Sequence, residues 1–99
     1  MDKLSEFRSR VNSLDENLLE LLGERFDICR EVARYKRAAG IPMMQSARVQ
    51  EVKERCAKLG IKRRLDPEFV TKLYTLIIEE SCRTEEEIID APEEPLRDD

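Results

Sequence analysis

Apolar residues recur along the first third of the chain at alternating spacings of three and four: Leu4, Phe7, Val11, Leu14, Leu18, Leu21, then Ile28, Val32 and Tyr35. This is the a/d seam of a long packed helix. One position breaks the series: residue 25 continues the count but is an arginine. The pattern predicts a helix from about Ser5 to Ala38, stopped by Gly40–Ile41–Pro42 and roughly 50 Å long. A second helix is predicted after Ser46, a fair N-cap, with Val49, Val52, Cys56 and Leu59 on its apolar face and Gly60 as its stop. Asp66–Pro67–Glu68 opens a third, with an N-cap acid, a proline in the first turn and a second acid on the positive end of the helix dipole. Its apolar stripe reads Val70, Leu73, Ile77 and, further on, Ile88.

No segment has the period of a strand, and no internal repeat is visible. The expected fold is all-α, with one long, one short and one medium helix over residues 1–89. An acidic tail follows at 90–99, whose two prolines and five acids predict disorder. A helix of about 50 Å cannot bury its seam against two shorter helices of its own chain. The remainder is expected to meet a second copy, in an intertwined homodimer.

Composition narrows the function. The 99 residues allow one small domain, 40% charged and 40% hydrophobic, with a net charge of −4. Residues 85–99 hold eight acids and one base, so the body up to residue 84 is +3. Such a body attracts small anions but is not basic enough for a nucleic-acid partner. No apolar run approaches the length of a membrane span, and MDKLSEFRSR has no signal-peptide core, so a cytoplasmic protein without a membrane partner is expected. Cys29, Cys56 and Cys82 form no C-x-x-C and are expected to be reduced core thiols. With no histidine, neither a zinc site nor histidine acid–base chemistry is expected.

Candidate chemistry centres on Arg25. A buried guanidinium without a partner is prohibitively costly, so it requires an anion from the protein or from a ligand. Cys29, Val32 and Lys36 follow it at i+4, i+7 and i+11 on one narrow stripe, two cations bracketing two small apolar residues. Arg8 lies one position off the seam near the other end, and Arg48 opens the second helix. On the third helix, Ser81 and Glu85 continue the line Leu73–Ile77 at i+4 spacing. Each has a plainer reading. Lys36 and Arg8 suit solvated flanks, Ser81 suits a bond back to its own helix, and Glu85 opens an acidic run. For Arg25 the pattern leaves two readings open, an anion pocket or a buried ion pair that sets dimer register.

These residues lie in stretches that resemble the all-helical chorismate mutase family over about residues 4–89: LSEFRSRVNSLDENLLELLGERFDICREVARYK, the turn at Arg48, and LDPEFVTKLYTLIIEESCRTEE. R-x-x-V-x-x-L-D begins at Arg8, L-L-x-E-R ends at Arg25 and V-x-x-Y-K ends at Lys36. The resemblance implies a homodimer of three-helix chains with two active sites, each built from both subunits. It implies that Arg8 reaches a substrate carboxylate in the partner's site and Arg25 binds one in its own. Lys36 would donate to the ether oxygen and a carboxylate, Arg48 would complete the cationic wall, and Ser81 would stand near the ring carboxylate. Glu85 would face the ether oxygen. The substrate would be a small dianionic cyclohexadiene. Its Claisen rearrangement is one pericyclic step that needs no nucleophile, general base, metal or organic cofactor. A carboxylate cannot donate to an ether oxygen, so Glu85 must be protonated, and activity is expected to fall as pH rises through its elevated pKa.

One stretch departs from the family. Chorismate mutases commonly have an acid three residues before the second-helix arginine and a glutamate directly after it, which accepts from the C4 hydroxyl. Here those positions are Gln45 and Val49. GIPMMQSARV, with LYTLIIEESCRTEEE, is similar to the branch that rearranges 4-amino-4-deoxychorismate to 4-amino-4-deoxyprephenate for p-aminophenylalanine units in antibiotic biosynthesis. In that reading Gln45 accepts from the amine. Two alternatives stay open. One is an ordinary chorismate mutase feeding phenylalanine and tyrosine synthesis, with isochorismate pyruvate lyase on the same scaffold ranked below it. The other is a non-catalytic helical dimerisation module.

Overall fold

Helices α1 (Lys3–Ala39), α2 (Ser46–Ile61) and α3 (Pro67–Ile89) make up the fold. The computed structural model describes residues 2–43 and 45–90, and every regular element among them is helical. The tail expected at 90–99 lies outside the described residues from 91 onward; Asp90 caps α3.

The helix ends follow from short-range chemistry. Asp2 caps α1 by accepting from the Ser5 amide at 2.7 Å, which starts the helix two residues earlier than the apolar pattern suggests. At the other end Gly40 takes the left-handed conformation (φ 68°), and its amide and that of Ile41 both return to the Lys36 carbonyl. The start of α2 corrects the prediction. Gln45 occupies the N-cap, its carbonyl accepting from the Arg48 and Val49 amides at 3.0 and 3.1 Å, while Ser46 is already helical. The backbone alone closes this turn, with no side-chain cap. Asp66 is the N-cap of α3 with Pro67 in the first turn, again without a side-chain cap bond.

Gly60 also departs from its predicted role. α2 runs past it to Ile61, and the left-handed residue is Arg64 (φ 62°), after which the Leu65 amide closes on the Gly60 carbonyl at 3.0 Å. Gly60 is buried inside the helix because α3 comes too close for a side chain. A Cβ there would lie 2.9 Å from Val70 Cγ2 and 3.3 Å from Leu65 Cβ.

α3 packs on both other helices, and the α1 and α2 backbones do not approach each other. It runs antiparallel to α2, with Val70 beside Gly60. It runs parallel to α1, where Arg25 meets Ser81 and Arg37 donates to the Ile88 carbonyl at 3.0 Å. Val52, Cys56 and Val70 form a small core covered by Tyr74 and Ile78. The predicted stripe on α3 holds at Val70, which is buried, and at Ile77 and Ile88, which are half-buried; Leu73 is 38% exposed, and Tyr74 and Ile78 pack on the core in its place. Leu59, expected on the inner face of α2, is exposed. Ala33 is fully buried on α1, where a small residue permits close approach to α3.

The seam itself is open. Residues 11–21 are exposed throughout, with Leu14, Leu18 and Leu21 at 65%, 56% and 61%. The chain extends 61 × 36 × 16 Å, with a radius of gyration of 18.2 Å against about 13 Å for a compact chain of this length. Among the described residues no helix is long and apolar enough to cross a membrane.

Candidate active site

The open angle between α1 and α2, floored by α3, holds a cavity of about 340 Å³. Seven of the eight residues singled out from sequence line it: Arg25, Lys36, Gln45, Arg48, Val49, Ser81 and Glu85. The eighth, Arg8, does not. It stands on the exposed N-terminal part of α1, about 25 Å from Arg25 by helix rise.

Arg25 is half-buried and held on three sides. Its Nη1 donates to Ser81 Oγ at 2.9 Å and lies 4.0 Å from Cys29 Sγ, while the guanidinium sits over the Tyr74 ring at 5.9 Å. Ser81 Oγ in turn donates to the Ile77 carbonyl at 3.0 Å. The bond back to its own helix and the polar contact to the cavity therefore occur together. Among the described residues Arg25 makes no ion pair. Neutral partners orient this cation and leave its charge uncompensated.

Lys36 donates to the Met43 carbonyl at 2.6 Å. The left-handed turn at Gly40 brings that carbonyl back over the helix end, fixing the ammonium at the cavity while two of its three donors remain. Arg48 pairs with Glu51 at 2.8 Å, one turn on along exposed α2. Gln45 makes no side-chain hydrogen bond among the described residues and lines the cavity with Val49.

Among the described residues Glu85 is the one carboxylate of the lining. It is 8% exposed, while Glu86 and Glu87 beside it face solvent, where Glu87 pairs with Arg83 at 2.7 Å. Burial raises its pKa above the ordinary carboxylate value, and Lys36 and Arg25 only partly oppose this. The same burial raises the Cys82 thiol, helped by Glu85 and Glu86, which disfavours its thiolate form. All three cysteines are free. Cys56 is buried, but Cys29 and Cys82 are half-buried in the cavity wall, a correction to the expectation of core thiols.

Three parts of the site were missed from sequence. The Met43 carbonyl carries no signal, because every residue has one. Glu51 was legible as an i+3 partner of Arg48. Ile78 and Cys82 line the wall because the buried face of α3 is wider than the predicted stripe and takes in the neighbouring i+4 line.

A cavity with three cations, an apolar wall and one acid whose pKa burial raises suits a small polyanion that also needs a donor at a developing charge. Residues 7–86 match the family described as chorismate mutase type II. The chain belongs to that family. Chorismate mutase family members are mutase enzymes, and this chain is one by descent. It is 40% identical over 85 residues to a 4-amino-4-deoxychorismate mutase of Streptomyces venezuelae, covering 86% of this chain and 82% of the relative. A 4-amino-4-deoxychorismate mutase of Streptomyces pristinaespiralis is 39% identical over 88 residues, 89% of this chain and 68% of that protein. A bifunctional chorismate mutase/prephenate dehydratase of Escherichia coli is 35% identical over 86 residues, 87% of this chain and 22% of the larger protein.

Proposed function

We propose that the protein rearranges 4-amino-4-deoxychorismate to 4-amino-4-deoxyprephenate in an intertwined homodimer. The observation that carries this reading is Val49, an apolar residue directly after Arg48 in the cavity wall. A C4 hydroxyl finds no carboxylate acceptor there, while Gln45 offers an amide. The names of the two Streptomyces relatives support the same substrate.

In this reading Arg25 and Arg48 hold the two carboxylates and fold the enol-pyruvate side chain over the ring. Lys36 and protonated Glu85 donate to the ether oxygen as the C–O bond breaks and negative charge grows on it. No proton moves and no covalent intermediate forms. Arg8 of a second copy closes the cavity's open side, and the exposed seam of α1 supplies the contact between copies.

The second reading, chorismate to prephenate, draws on the Escherichia coli relative. The test is a side-by-side assay of purified protein with chorismate and its 4-amino analogue. A higher kcat/KM for the aminated compound is expected. A preference for chorismate would establish the second reading in its place.

A further inference from the structure

We infer that the cavity takes its aminated substrate as the free amine and not as the ammonium ion. The inference rests on the proposed substrate and concerns its charge state, which the relatives' names do not address.

Each element presents its own set of charged and polar groups to the cavity. From α1 come the cations Arg25 and Lys36 and the thiol of Cys29. The segment into α2 contributes the cation Arg48 and the neutral Gln45 and Val49. From α3 come Ser81, the thiol of Cys82, and Glu85. Three positive charges thus stand against one carboxyl group. That carboxyl is itself biased toward its neutral form by burial. Glu51, the partner of Arg48, is 63% exposed and is not part of the lining. Among the described residues nothing else on the wall supplies a countercharge for an ammonium.

The substrate's own charges point the same way. With a free amine it is a dianion and complements three cations; with an ammonium it is a monoanion and places a fourth positive charge among them. Hydrogen bonding agrees. A free amine has one lone pair and two N–H groups, which match the N–H and carbonyl of the Gln45 amide. An ammonium only donates, so the Gln45 N–H would lose its acceptor. A carboxylate at position 45 or 49 would select the ammonium, which gives a physical reason for Gln and Val there.

The experiment is a pair of pH profiles of kcat/KM for the whole protein, one with 4-amino-4-deoxychorismate and one with chorismate. This parameter reads the free enzyme and free substrate, so the ratio of the two profiles cancels every enzyme group, Glu85 included. The ratio should climb about tenfold per pH unit up to the amine's own pKa, titrated on the free compound, and level off above it. A ratio that is constant below that pKa and falls above it would overturn the inference while leaving the substrate assignment intact. Failure to convert the aminated compound at any pH would overturn both. In Val49→Glu, shown to be folded by circular dichroism, the climb should disappear. Its persistence there would overturn the assignment to cavity charge.

Discussion

Arg25 is held by a hydroxyl, a thiol and an aromatic face, all neutral, at a position where the helix period calls for leucine. An arginine kept to stabilise a fold would be better served by a carboxylate at contact distance, since a half-buried charge without one is a net cost. Glu85 is the complementary case, a carboxyl on the same cavity whose neighbours are positive but whose burial still raises its pKa. The direction fixes the pH response. A raised pKa keeps the acid protonated, and able to donate, to higher pH than an exposed glutamate. A bound dianion would extend that range further. Activity should therefore be full below the raised pKa and decline above it. Glu85→Gln, which donates at every pH, should flatten the alkaline limb of kcat. Glu85→Ala should lose about 10²–10³ in kcat, as for other preorganised donors. An alkaline limb that survives unchanged in the Gln variant would remove Glu85 from this role.

At the scale of the helices, the cavity depends on how closely α2 and α3 pack, because their hairpin sets the angle that α1 faces. Gly60 is where they meet, and Gly60→Ala drives a methyl group to within 2.9 Å of Val70 Cγ2. Overpacking of this kind should cost about 1–3 kcal/mol, read as a shift in denaturant midpoint at fixed protein concentration. The turn that follows responds in the opposite direction. Arg64 holds a left-handed conformation in which L side chains are strained. Arg64→Gly should raise stability by up to about 1 kcal/mol, net of the added flexibility of the unfolded chain. A neutral result at Gly60 would mean that the hairpin relaxes freely and is not the rigid part of the site.

At the scale of the whole molecule, the single chain leaves an apolar helix face open. The N-terminal half of α1 presents Leu14, Leu18 and Leu21 to solvent, and Arg8 sits on that half, far from the cavity of its own chain. A second copy crossing there would cover the leucines and deliver the arginine together. Mixing tests this directly. Arg8→Ala and Arg25→Ala should each be inactive alone, because in the proposed homodimer each spoils every site. After subunit exchange, half the dimers are mixed and carry one intact site, so activity should recover to roughly a quarter of wild type. Sedimentation should report two chains throughout. No recovery between variants that demonstrably exchange would place Arg8 outside the partner's site.

Much of this molecule was legible along the chain. The three–four period located α1 and exposed Arg25 as its exception, because a helix imposes one spacing on everything it buries. The same rule carried Ser81 and Glu85 onto one face at i+4, and Gly40–Ile41–Pro42 marked the end of α1 through local backbone chemistry. Other features depend on contacts between segments far apart in sequence. A glycine that ends a helix and one that admits a neighbouring helix are identical in sequence, and Gly60 is the second kind only because Val70 lies against it. Three successive glutamates are equivalent on paper. The packing of α3 against its neighbours buries Glu85 alone of the three and brings Tyr74 and Ile78 onto the core where Leu73 was expected. Periodicity reveals which residues share a face. How two faces meet, and so which charges end up around one cavity, follows from packing between helices.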